Sequence, residues 1–247
     1  MKLFILGGTG NSGKRLLDLA LSRGHSVTAL ARNGSKLQAQ FAGPAPPLLT
    51  ILEGGLDDEA ALAAQMIGHD VVINAAGNTS DGPAFPRLVQ TVVQTANKTL
   101  GPGGRFWLFG GAGALTVPGS DVMTLDLPLI PKVFEAHRTN FRTVSETALD
   151  WSMLCPGPLM AAANGRAHLG LRTSIDTWPC EPPTAVGLRL PRIVQSIAFI
   201  RRIPQLTITY EDVATVILDH LERDGAFSRK RVGVALPIGM LARKPRL

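Results

Sequence analysis

KLFILGGTGNSGKRLLDLALSRG, residues 2–24, sets an apolar run, four glycines within seven positions and an amphipathic segment end to end. The run at 2–6 predicts a buried strand, and the periodicity over 12–23 predicts a helix stopped by Gly24. Between them the glycines satisfy two overlapping patterns, Gly8-x-Gly10-x-x-Gly13 and Gly7-x-x-Gly10-x-x-Gly13. A site for a dinucleotide needs this arrangement for physical reasons. One glycine turns the chain sharply out of the strand, another lets the backbone approach a pyrophosphate, and the third lets the helix pack on the sheet. The helix start then offers free N–H groups and a positive dipole end to phosphate. Gly7, Thr9, Gly10, Asn11, Ser12 and Gly13 are therefore the expected phosphate-facing residues. The competing reading is a glycine turn that serves only the backbone.

Outward from this stretch, apolar runs and helical periodicities alternate. Runs at 25–32, 48–54, 70–77, 105–111 and 150–157 read as strands, with helices over 86–100 and 131–148 and a short one from about Asp58. Near-continuous apolar strands separated by helices indicate a parallel sheet covered on both faces. After Pro158 the rhythm breaks, with five prolines among residues 179–204, until a helix over 209–223 and a strand over 231–236 restore it. The expected organisation is a nucleotide-binding core over 1–158 and a substrate-covering lid over 159–206. A helix and strand over 207–236 complete the core, and 237–247 form a basic tail.

The bulk composition, 45% hydrophobic and 18% charged, belongs to a core-forming chain of 247 residues. No apolar run approaches the roughly 18–20 residues that span a bilayer, so a cytoplasmic protein is expected. Cys155 and Cys180 lack metal-ligand spacing and read as free thiols. The net charge of +6 comes entirely from the last 20 residues, where Arg229, Lys230, Arg231, Arg243, Lys244 and Arg246 meet no acid. Without them 19 basic residues balance 19 acidic ones. RNA, an acidic partner or a membrane surface would suit such a tail, but a solvated end accounts for it and no membrane partner is expected. No aromatic residue interleaves it after Phe227, so no nucleic-acid partner is expected.

The end of the second strand bears on the nucleotide. About 20 residues past the loop, NAD sites carry an acid for the ribose 2′-hydroxyl. Here the chain reads Ala31, Arg32 and Asn33. A guanidinium at Arg32, assisted by Lys36, suits a 2′-phosphate instead, so NADP(H) is expected over NAD(H), which stays possible.

With GGTGNSG, ALARN (29–33), NAAG (74–77), LDWSMLCPGPL (149–159) and ITYEDVA (208–214) in this order, the chain resembles the atypical short-chain dehydrogenase/reductases of the NmrA-like, NAD(P)-binding group. FGGAGAL (109–115) is similar to bacterial NADH-flavin reductases and to biliverdin reductase B. The resemblance, over about residues 1–236, implies a Rossmann-type doubly wound parallel sheet with a small irregular C-terminal substrate or lid region. It implies a nicotinamide near the ends of strands four to six. Asn74, Ala75, Ala76, Gly77, Gly110 and Gly111 would line it, with Pro156 and Gly157 near the carboxamide. Asn74 is explained nearly as well by stabilisation of its own turn. Related chains often carry Gly-Asp-x-x-Asp after strand three. Gly55 stands in place of the first acid here, which leaves backbone around Leu56 for adenine and Asp58 as a helix cap.

The departures from that family matter for chemistry. Short-chain dehydrogenases use a strand-five serine and a Tyr-x-x-x-Lys helix, whereas this chain has Gly110, Gly111 and Ala112, then Phe134 to Arg138 in the best-matching frame. Its one tyrosine is Tyr210. Hydride transfer to a flavin or quinone needs no such triad, and a proton can come from water or from His137. A helix-surface or hydrogen-bonded His137 is the competing reading. Arg166, Arg172, Arg189, Arg192, Arg201 and Arg202 are either receptors for an anionic substrate or surface cations. The expected function is NADPH-dependent reduction of a small conjugated acceptor such as a flavin or quinone. The alternative is a non-catalytic NADP(H) sensor.

Overall fold

The computed structural model describes residues 1–180 and 190–242. In chain order its strands and helices are β1 (Lys2–Leu6), α1 (Asn11–Ser22), β2 (Ser26–Ala31), α2 (Gly34–Gln38), β3 (Leu49–Glu53), α3 (Glu59–Met66), β4 (Val71–Asn74) and α4 (Ala84–Leu100). There follow β5 (Arg105–Phe109), α5 (Ala136–Ser145), β6 (Asp150–Cys155), β7 (Leu159–Met160), β8 (Arg172–Ile175), α6 (Arg192–Leu206), β9 (Ile208–Thr209), α7 (Tyr210–Leu218) and β10 (Lys230–Ala235).

Eight strands form one sheet in the order β3-β2-β1-β4-β5-β6-β10-β8, parallel except for β8, which runs antiparallel to β10. The order reverses between β1 and β4, the point at which open α/β sheets leave a crevice beyond the strand carboxyl ends. Alternation along β1 explains why both faces are covered. Phe4 and Leu6 point into one core with residues of α3 and α4, such as Leu62, Val89 and Val93. Leu3 and Ile5 point into the other, with Leu16 and Leu17 of α1 and Val213 and Ile217 of α7. All four β1 side chains are fully buried, which is why KLFIL reads as a continuous apolar run.

The segment 159–206 is not irregular throughout. It supplies β8, which extends the sheet edge, and the 15-residue α6. Prolines obscured the helix: Pro191 stands at the N-cap of α6 and Pro204 lies in its last turn. The helix expected over 131–148 divides into a 3₁₀ turn, Lys132–Glu135, and α5.

At the amino ends of β5 and β6, opposite the crevice, Arg105 and Asp150 are almost completely buried. The Arg105 guanidinium donates to the Asp150 carbonyl, the Ser152 hydroxyl and the His220 carbonyl, with Asp150 Oδ1 at 3.5 Å. The Asp150 carboxylate accepts from the Asp224 N–H and the Ser228 hydroxyl. The network fastens the chain leaving α7 onto the sheet before β10 begins. Burial lowers the Arg105 pKa and the Asp150 charge opposes that shift. Asp150→Ala removes the counter-charge, and urea unfolding should show a loss of about 3–5 kcal/mol. A loss below about 1 kcal/mol, the size of an exposed pair, would contradict the assignment.

Candidate nucleotide-binding and active site

At the end of β1 the backbone turns at Gly7, with φ +83°. The Gly10 N–H donates to the Gly7 carbonyl at 3.0 Å, closing the turn. A β-carbon on Gly7 would lie 2.6 Å from the Ala75 carbonyl, and one on Gly13 would lie 2.1 Å from the Gly7 oxygen. Both positions therefore exclude any side chain. Gly8 instead faces Leu17 and Leu37, so the spacing Gly7, Gly10, Gly13 is the pattern the backbone uses. Helix α1 opens at Gly10 with no side-chain cap and no acid in its first turn, leaving its leading N–H groups to an anion.

A cleft of about 940 Å³ lies over this turn, within the roughly 300–1,000 Å³ range of small-molecule sites. Among the expected residues, Gly7, Thr9, Gly10, Asn11, Ser12, Arg32, Leu56, Ala75, Ala76 and Gly77 line it. Gly13 lies beneath the turn and is buried. Asn74 is fully buried, does not line the cleft and accepts the Ala76 N–H at 3.0 Å, as a turn-stabilising residue does. Its Nδ2 has no hydrogen-bond partner.

Gly110, Gly111, Pro156 and Gly157 also lie outside the cleft lining. Packing accounts for all three glycines: a β-carbon on Gly110 would meet Met153, one on Gly111 would meet His137, and one on Gly157 would meet the Leu206 carbonyl at 2.6 Å.

Arg32 stands exposed at the end of β2, and Asn33 caps α2 by accepting the Lys36 N–H. The sequence showed no acid beside Arg32, but the fold brings two from the end of β3. Glu53 accepts the Gly34 N–H at 2.8 Å, and Asp57 lines the same cleft as Arg32. Asp58 caps α3 by accepting the Ala61 N–H, as the sequence indicated.

Reading the sequence missed Tyr210, which lines the cleft and whose hydroxyl accepts from Asn11 Nδ2 at 3.3 Å. The signal was present in ITYEDVA, whose next two residues have related tasks. Glu211 pairs with Arg15 of α1 and accepts the Ala162 N–H; the buried Asp212 accepts both the His168 N–H and its ring Nδ1. Asp212 also completes a capping box with Thr209. These three residues bind the segment after β6 to the helix that follows the glycine turn. Phe85, Arg87, Leu88 and Thr91 of α4, with Asn78 and Asp81, complete the far wall.

His137 is neither on the helix surface nor hydrogen-bonded at Nδ1, and is 8% exposed. Its ring stacks on Phe134 and meets Phe85 edge-on, at centroid distances of 6.4 and 5.9 Å. Phe85 is its link to the cleft, which His137 itself does not line. Burial lowers its pKa from 6.5 to about 4, so the ring is neutral near pH 7.

Of the other candidates, several are held by protein partners. Arg138 pairs with Asp126 and Glu135, which raise its pKa. Arg172 donates to the Leu236 carbonyl and Gln205, so it does not wait for an anionic substrate. Arg202 donates to the Ala198 carbonyl, whereas Arg166, Arg192 and Arg201 are exposed; Arg189 lies outside the described residues. Cys155 and Cys180 are buried, and burial pushes the Cys155 thiol up to about 12, protonated and unreactive. Arg231, counted from the sequence with the solvated end, is instead held by Asp176, the Ala114 carbonyl and Thr116. Arg243, Lys244 and Arg246 lie outside the described residues.

Residues 7–175 match the NAD(P)H-binding family. The chain belongs to this family. An uncharacterised protein of Bacillus subtilis, YwnB, is 30% identical over 177 residues, covering 67% of this chain and 76% of that one. A Streptococcus pneumoniae structure provisionally named an NADH-flavin reductase superposes with a TM-score of 0.68 at 21% identity, covering 96% of this chain and 99% of the other. A Veillonella parvula short-chain dehydrogenase/reductase in complex with NADP gives a TM-score of 0.68 at 16% identity, covering 100% and 99%. At those identities the two structures bear on the fold alone. Membership of the NAD(P)H-binding family and the Rossmann-type sheet agree with what the resemblance implied. No helix among the described residues is long and apolar enough to cross a membrane.

The buried imidazole makes stability depend on pH with a definite sign. Between pH 6.5 and about 4 the unfolded histidine takes a proton that the folded one refuses, so stability falls as pH falls through that window and is level above it. Denaturant titrations at about pH 7.5 and about pH 4.5 should show wild type losing about 2 kcal/mol more than His137→Gln. Equal losses would place His137 in contact with solvent.

Proposed function

We propose that this chain is an NADPH-dependent oxidoreductase that passes hydride to a flavin, quinone or similar conjugated acceptor. The observation that carries the reading is the single cleft that runs from the uncapped start of α1 to the exposed Arg32 at the end of β2. The side-chain-free cradle at Gly7 and Gly13 fits a pyrophosphate. In this reading the N–H groups of Thr9, Asn11 and Ser12 hold the phosphates, Gly10 lets the backbone approach them without a side chain, Arg32 holds the 2′-phosphate and Leu56 lies beside adenine. Ala75, Ala76 and Gly77 flank the nicotinamide-side ribose, while Gly110, Gly111, Pro156 and Gly157 form the floor beyond it. Bound reduced nicotinamide would supply the hydride, and the chain's own contribution is to bind and orient the reactants.

The acceptor class is supported by the chemistry at the end of β5. Gly110, Gly111 and Ala112 offer no hydroxyl there, and the nearby His137 is neutral, so water supplies the proton in this mechanism. His137 acts as a positioning residue against Phe85. The missing Ser-Tyr-Lys set favours, as a second reading, a protein that binds NADP(H) without turnover.

Arg32→Ala should weaken NADPH binding about tenfold or more in calorimetry and leave NADH unchanged. Equal effects on both nucleotides would remove the 2′-phosphate assignment. In a panel of free flavins and quinones, wild type should consume NADPH only when an acceptor is present, and His137→Gln should retain activity within about tenfold. A loss beyond about a hundredfold would make His137 the acid, and saturable NADPH binding with no turnover on any acceptor would favour the sensor.

A further inference from the structure

Helix α6 is inverted. It buries Gln195 and Ser196 against the body of the protein, alongside Phe199 and Leu206, while Ile193, Ile197 and Ile200 are 45%, 41% and 42% exposed. The isoleucines recur at i, i+4 and i+7, and Pro204 continues the same face one turn later. A surface helix ordinarily points such a row inward, so the outward row needs a partner.

The face continues beyond the helix. The Ala242 N–H donates to the Pro204 carbonyl at 2.8 Å, which seats the turn at 237–242 at the carboxyl end of α6. On that turn Ile238 is 85% and Leu241 59% exposed. Within the two segments themselves, 191–206 and 237–242, every charged residue is basic. Arg192 and Arg201 are exposed at the helix flanks, and no acid occurs between residues 191 and 210 or after Asp224. From Ala242 the sequence goes directly into Arg243, Lys244 and Arg246.

We infer that α6 and the turn at 237–242 form a docking surface for an anionic phospholipid membrane. Exposed aliphatic side chains edged by cations, without acids, suit the boundary between headgroups and acyl chains. A second copy of the chain fits less well, because a two-fold contact would set the same basic rim against itself with no acid to compensate. A folded protein partner is less favoured too, since the exposed centre carries no aromatic anchor. The inference does not rest on the reaction proposed above.

Vesicle flotation tests it with the full chain. Wild type should float with vesicles of phosphatidylglycerol and phosphatidylcholine, release with rising salt, and remain behind with phosphatidylcholine alone. Arg192→Gln with Arg201→Gln should lower partition by about thirtyfold, at roughly fivefold per cation. Ile197→Asp should abolish flotation while leaving thermal unfolding and nucleotide binding unchanged, because residue 197 touches neither core nor cleft. Absence of wild-type flotation, or flotation insensitive to Ile197→Asp, would overturn the proposal. So would a solution dimer that Ile197→Asp dissociates, which would assign the face to a second copy.

Discussion

The fold turns on one contact. A β-carbon at residue 13 would stand 2.1 Å from the Gly7 carbonyl oxygen, so α1 can lie against the end of β1 only because that position is glycine. The same approach brings the Gly7 oxygen to the Gly10 N–H and sets the helix start over the crevice between β1 and β4. Gly7 itself leaves no room at Ala75, so the β1 turn and the β4 turn are packed backbone against backbone. The cleft is the space that these two turns leave above the sheet.

From that contact the structure builds outward in two directions. Leu16 and Leu17 of α1 enter the same core as Val213 and Ile217 of α7, and Arg15 pairs with Glu211 across that interface. Tyr210 reaches Asn11 at the glycine turn, while Glu211 and Asp212 hold Ala162 and His168 of the segment after β6. The segment after β6 and the helix that opens at the glycine turn are thereby fastened to one short helix. On the other side of the sheet, Phe85 joins the cleft wall to a buried and neutral His137.

The parallel sheet and the glycine turn were legible because each has a local cause: an apolar run buried on both faces, and glycine where no side chain fits. Asp58 as a cap followed from its place ahead of a helical run. What the sequence hid depended on long-range contacts. Tyr210 is 199 positions from the asparagine it meets, and Glu53 and Asp57 reach the neighbourhood of Arg32 only through the pairing of β2 with β3. His137 read as surface because α5 is polar around most of its circumference, and its burial comes from Phe85, Phe134 and Gly111. Helix α6 was concealed by its prolines and by a row of isoleucines facing outward.

The central claim is that the Gly7–Gly10–Gly13 turn forms the pyrophosphate seat. Amide chemical shifts of the isotope-labelled chain, followed through a titration with NADP+, test it residue by residue. The largest and earliest changes should fall on the backbone N–H groups of Thr9, Asn11 and Ser12, with smaller ones at Gly77 and Asn78 across the cleft. Saturable binding that leaves the amides of Thr9, Asn11 and Ser12 unmoved would contradict it.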